Sequence, residues 1–157
     1  MSIENSTLRI ATKSADETIA IGERLGKMLK PGDVIALSGD LGAGKTTLTR
    51  GIALGLGVTA DVHSPTFTLI HEHPGPVPLY HIDVYRLSSE QDAEFIGIDD
   101  YVYGDGVAII EWAETIKSLL PPERLDIHLK MTGDTDRDLV LSTTSPRLMT
   151  AIEALEC

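Results

Sequence analysis

The sequence predicts an α/β domain in three layers, with parallel and antiparallel strands mixed in the central sheet. Three observations lead there. First, Gly39-Asp40-Leu41-Gly42-Ala43-Gly44-Lys45-Thr46 is a full match to G-x-x-x-x-G-K-[ST], the phosphate-binding P-loop. Second, a buried-strand pattern, Asp33-Val-Ile-Ala-Leu-Ser38, lies directly upstream, and a helical pattern from Lys45 to Leu56 lies directly downstream. Third, two pairs of strand-like runs are joined by turn-rich loops, which departs from pure βα alternation. Together they describe one P-loop NTPase-like domain spanning residues 1–157.

Along the chain, Leu8 to Ala11 forms a short first strand. Ser14 with Glu17 makes a capping box, and Ile21, Leu25 and Met28 recur at helical spacing until Pro31-Gly32 stops the helix. In the helix after the P-loop, Leu48, Ile52 and Leu56 form one apolar stripe. Gly51 and Gly55 permit close packing there, and Gly57 ends the helix. Thr66–Glu72 and Pro78–Tyr85 form a hairpin across His73-Pro-Gly-Pro-Val77. Ser88 or Ser89 caps a short helix through Phe95, and residues Gly97 to Asp105 read as irregular. Val107-Ala-Ile-Ile110 is a buried strand. Leu125–Met131 and Asp138–Ser142 flank Thr132-Gly-Asp-Thr-Asp136 as a second hairpin, and Ser145-Pro-Arg147 opens a terminal helix with Pro in its first turn.

The chain has 157 residues, enough for one core, and no apolar stretch approaches the eighteen or so residues of a membrane span. The start, Met1-Ser-Ile-Glu-Asn-Ser-Thr7, lacks the pattern of a secretory signal, and Cys157 is the only cysteine. The expected location is cytoplasmic. A formal charge of −11 with only 13 scattered basic residues argues against independent binding of nucleic acid, so a partner should hold any RNA involved.

The chemistry follows from residue types. Glycines at 39, 42 and 44 let backbone N–H groups turn around an anion, Lys45 adds charge at the β- and γ-phosphates, and Thr46 offers a hydroxyl to Mg²⁺. A P-loop ATPase needs a further carboxylate at the end of a buried strand, and Asp83 and Glu111 both qualify. On the pattern alone, one binds the metal and the other positions or activates water; the alternative for either is an ordinary strand-end carboxylate facing water. Ser64-Pro65-Thr66 follows the P-loop helix at the distance of a loop that returns over the nucleotide, where Thr66 would sense the γ-phosphate; the alternative is a turn entering a strand. Trp112, beside Glu111, either shields the nucleotide or packs in the core. His71, His73 and His81 share a hairpin face with the spacing of a zinc site, yet no fourth ligand is evident. A half-exposed hairpin face explains them better, and no metal beyond Mg²⁺ is assigned.

Gly39 to Thr47, Ser64-Pro-Thr-Phe-Thr-Leu69, His81-Ile-Asp-Val-Tyr-Arg-Leu87 and Ile110-Glu-Trp112, in this order and spacing, resemble the TsaE (YjeE-type) family. The resemblance runs from about residue 8 to about 143. It implies a bacterial ATPase required for threonylcarbamoylation of adenosine 37 in tRNAs that read codons beginning with A. It further implies ATP and Mg²⁺ as cofactors and stimulation by a TsaB–TsaD complex, of which TsaD performs the transfer to tRNA. Carried onto this chain, residues 39–47 would hold the nucleotide, Thr46 and Glu111 would coordinate Mg²⁺, and Asp83 would be an essential acid near the γ-phosphate. Trp112 and Arg137 would lie near the nucleotide. Two other classes stay in view: a small-molecule kinase, which needs a second site and an Arg-bearing lid, and a nucleotide-gated module with negligible turnover. A GTPase of the usual kind is closed off, because Asn5 is the only asparagine available for an Asn-Lys-x-Asp guanine reader.

Overall fold

The computed structural model describes residues 6–39, 43–58, 70–84, 97–111, 116 and 118–155. In chain order the elements are β1 (Ser6–Thr12), α1 (Ala15–Gly26), β2 (Val34–Gly39), α2 (Lys45–Leu56), β3 (Ile70–His73), β4 (Leu79–Asp83), α3 (Asp99–Val102), β5 (Val107–Glu111), β6 (Leu125–Met131), β7 (Arg137–Thr143) and α4 (Pro146–Ala154). The strands form one sheet in the order β1-β7-β6-β2-β5-β4-β3. β6, β2, β5 and β4 run parallel, while β7, β1 and β3 pair antiparallel at the two sides. Both expected hairpins are therefore present, and the sheet is mixed.

Burial explains the strand sequences. β2 and β5 are central and covered on both faces, which favours the continuous apolar runs Val34-Ile-Ala-Leu37 and Val107-Ala-Ile-Ile110. β6 alternates instead: Leu125, Ile127 and Leu129 are buried, whereas His128 and Lys130 face water. On one face, Ile35, Leu37, Ile109, Leu125 and Ile127 pack against Leu25 of α1, Leu48, Ile52 and Leu56 of α2, and Leu148 and Ile152 of α4. On the other, Val34, Ala36, Ile82, Ala108 and Ile110 pack against Ile98, Val102, Ile116 and Leu120. The three layers are complete over the parallel strands.

α1 and α2 cross with their backbones in contact. A Cβ added at Gly22 would lie 2.6 Å from the Leu48 carbonyl oxygen, and one at Gly26 would lie 2.3 Å from that of Ile52. From the other helix, Gly51 and Gly55 would meet the Ile19 and Glu23 carbonyl oxygens at 2.3 and 2.2 Å. The close packing expected at Gly51 and Gly55 is thus met by a matching glycine pair on α1. Ser14 caps α1 by accepting from the Glu17 backbone N–H at 3.1 Å, and the Glu17 side chain returns to the Lys13 N–H at 3.3 Å.

Two local expectations need correction. α1 ends at Gly26, five residues before Pro31, because the Met28 and Leu29 N–H groups turn tightly onto the Leu25 and Gly26 carbonyls and carry Leu29 into the core. The irregular stretch 97–105 contains α3, which lodges Val102 in the second cluster. The helix expected from Ser88 or Ser89 to Phe95 lies outside the described residues. From β4, the Tyr80 hydroxyl donates to Asp105 at 2.6 Å. That bond, then burial and the neighbouring carboxylates, pushes the Tyr80 pKa up to about 12.

Gly51→Ala should destabilise the protein by about 1–3 kcal/mol, the usual range for overpacking. Gly133→Ala, whose added Cβ would come no nearer than 3.4 Å to its neighbours, should be close to neutral. Chemical denaturation of both variants checks this, and equal stability would contradict the backbone crossing.

Candidate active site

β2 brings the chain to the carboxyl ends of the parallel strands, where open α/β sheets bind ligands. Gly39 closes the strand with φ 139, and a Cβ there would lie 2.4 Å from the Leu129 carbonyl oxygen, so glycine is required. Gly44, at φ 104, is the N-cap of α2 and supplies no side-chain acceptor. The first-turn N–H groups of this twelve-residue helix therefore face an anion position without a side-chain cap. Lys45 is only 5% exposed, and its Nζ donates to the Gly39 carbonyl oxygen at 2.7 Å, across the mouth of the loop. Ala43 anchors the loop in the core, and Thr46 and Thr47 are half-buried on the first turn of α2. Asp40, Leu41, Gly42, Thr66 and Trp112 lie outside the described residues.

The two acids are brought together. Asp83 ends β4, Glu111 ends β5, and the two are register partners in the parallel pair. Glu111 is in turn the partner of Leu37 on β2. Since Leu37 and Ile109 pack under α2, Glu111 and Asp83 project to the same face as the P-loop helix. Glu111 is 3% exposed, so it is no strand-end carboxylate facing water, and Asp83 is half-buried. His81 Nε2 donates to Glu111 Oε2. His81 and His73 are buried rather than half-exposed, a correction to the reading of the hairpin face. Among the described residues no group of three or more metal-binding side chains occurs, so the zinc geometry is not formed.

A cavity of about 200 Å³ opens beside the P-loop, lined by Ala15, Thr18, Gly44, Thr47, Asp134, Thr135 and Arg137. The pairing of Thr12 with Arg137 at the β1–β7 edge sets the start of α1 beside the β6–β7 turn. The Thr12 and Thr18 hydroxyls share a buried hydrogen bond of 2.7 Å, which fixes the α1 side. Arg137 Nη1 donates to the carbonyl oxygens of Gly133, Asp134 and Asp136 at 3.1, 3.3 and 2.8 Å, which shapes the turn. Arg137 thus stands at the site, with part of its guanidinium engaged in holding the wall. Ala15, Thr18, Asp134 and Thr135 were not singled out in the sequence; the only signals there were a capping box and a turn.

The chain matches the family model described as threonylcarbamoyl adenosine biosynthesis protein TsaE over residues 12–139. The chain belongs to the TsaE family. It is 47% identical over 149 residues to the tRNA threonylcarbamoyladenosine biosynthesis protein TsaE of Bacillus subtilis, covering 94% of this chain and 93% of that one. The Treponema pallidum TsaE is 42% identical over 135 residues, covering 86% of this chain and 100% of that protein. The crystal structure of YdiB from Bacillus subtilis superposes with a TM-score of 0.84 at 42% identity, covering 99% of this chain and 97% of YdiB. TsaE-family proteins serve tRNA threonylcarbamoyladenosine biosynthesis. No helix of the described residues is long and apolar enough to cross a membrane.

If the P-loop holds a nucleotide, as its motif implies, Lys45→Ala removes the charged donor and leaves backbone N–H groups alone to meet the phosphates. ATP affinity should fall about ten-fold or more, since charge-assisted bonds contribute roughly 1.5–3 kcal/mol each. Unchanged affinity in a calorimetric titration would contradict the anion cradle.

Proposed function

We propose that this TsaE-family chain is a Mg²⁺-dependent ATPase that drives the cycle of a TsaB–TsaD type complex forming the threonylcarbamoyl group on adenosine 37 of tRNA. The observation that carries the reading is the conjunction of an uncapped α2 N-terminus, a buried Lys45 and the Asp83–Glu111 pair on the α2 face of the sheet. These residue types suit a magnesium nucleotide: N–H donors and an ammonium for phosphates, a hydroxyl and a buried carboxylate for a hard cation.

In this reading Gly39 to Thr47 bind the phosphates, with Lys45 leaving the Gly39 carbonyl for the β- and γ-phosphates. Thr46 and Glu111 hold Mg²⁺, which when bound neutralises charge developing on the transferred phosphoryl group. Asp83 orients the attacking water or the γ-phosphate, and Thr66 remains the candidate γ-phosphate sensor. The cavity at Thr18, Thr135 and Arg137 receives the base and ribose. Trp112, next to Glu111 in the chain, is proposed to lie near the nucleotide. The charge of −11 supports tRNA contact through the partners only. The same chemistry suits the cytoplasm, where ATP and tRNA are found.

Phosphate release measured alone, with TsaB–TsaD and with tRNA added tests the proposal. Weak turnover alone and a marked rise with the partners are expected. Full activity without partners, or phosphate transferred to a small metabolite, would point to a kinase instead. Within the site, Glu111→Gln should stop turnover and make ADP binding less dependent on Mg²⁺. Asp83→Asn should abolish hydrolysis while leaving ADP–Mg²⁺ affinity nearly intact. The reverse pattern would exchange the two roles.

A further inference from the structure

We infer that His81 is a positioning residue for Glu111: its Nε2–H, donated to Oε2, holds the carboxylate so that Oε1 is the oxygen left for Mg²⁺. The inference rests on the proposed metal role of Glu111. His81 is fully buried, Glu111 is 3% exposed, and their side chains meet across β4 and β5. The register explains the meeting. Asp83 opposes Glu111, and His81, two residues earlier on β4, projects to the same face. His81 is not among the residues that line the cavity beside the phosphate loop.

The physical case has two parts. A carboxylate this deeply buried is costly unless a donor satisfies it, and His81 supplies that donor. A glutamate also has three side-chain torsions to fix before it can meet a cation at a set distance, and a bond to one oxygen fixes them in advance. The other ring nitrogen, Nδ1, has no hydrogen-bond partner among the described residues, so the polar commitment of the ring is to Glu111. If filling volume were the only demand, a leucine would serve there without burying a polar ring.

The test measures the affinity of a fluorescent ADP analogue as Mg²⁺ is raised, and again in EDTA, for wild type, Glu111→Gln, His81→Leu and His81→Gln. Loss of a group that orients a metal ligand typically lowers metal affinity by about 10–100-fold. His81→Leu should therefore lose about ten-fold or more in apparent Mg²⁺ affinity while its affinity in EDTA stays at the wild-type value. His81→Gln, whose amide N–H reaches toward the carboxylate, should recover part of the loss. In a Glu111→Gln background, His81→Leu should cause no further loss. If His81→Leu does not fold, His81→Asn, too short to reach Glu111, carries the same expectation. Parallel weakening with and without Mg²⁺ would reduce His81 to a packing residue and overturn the inference. A Mg²⁺ effect abolished by Glu111→Gln but untouched at His81 would overturn it while leaving the metal role of Glu111 standing. A Glu111→Gln protein with wild-type Mg²⁺ dependence would overturn both.

Discussion

The backbone contact between α1 and α2 is the constraint on which the geometry of the site depends. α2 begins at the phosphate loop, and α1 begins at the cavity beside it. Gly22 and Gly26 against Gly51 and Gly55 leave no side chain between the two helices. A larger residue at any of the four would push the helices apart and move Ala15 and Thr18 away from Gly44 and Thr47. The buried Thr12–Thr18 bond and the β1–β7 pairing fix the same corner from the opposite side. Helix packing, sheet edge and hairpin turn thus converge on one cavity.

The second constraint is electrostatic. Glu111 is the one acidic residue among the described residues that is this thoroughly buried, apart from Asp33 at the far end of β2. Asp33 is met by Arg147 of α4 and by the Lys30 N–H, so it acts as a structural tie. Glu111 is met by His81 instead, a donor that leaves the carboxylate able to accept more. Two buried acids at opposite ends of the parallel strands therefore have different partners and different uses. One closes the base of the fold, and the other stands on the face where the P-loop helix begins.

How much of this could be read in advance depends on how local each feature is. α2 was legible to the residue at both ends, because the P-loop motif opens it and Gly57, at φ 82, closes it. β6 was equally clear, as the run Leu125–Met131 that leads into the turn residues from Thr132 to Asp136. α1 was drawn too long, since its stop comes from tertiary packing of Gly26 on Ile52 and from tight turns, not from Pro31. The cavity joins residues near 15 to residues near 135, a meeting created only by strand pairing. The His81–Glu111 bond spans thirty residues and a parallel register, which periodicity does not reveal. The candidate acids were found from their strand-end positions, but their mutual register required the sheet.

The most direct test of the account is a crystal structure of the protein with Mg²⁺ and a non-hydrolysable ATP analogue. The account predicts phosphates on the first-turn N–H groups of α2, the metal between Thr46 and Glu111, and the base in the cavity formed by Thr18, Thr135 and Arg137. Phosphates bound away from α2, or a metal held without Glu111, would contradict it.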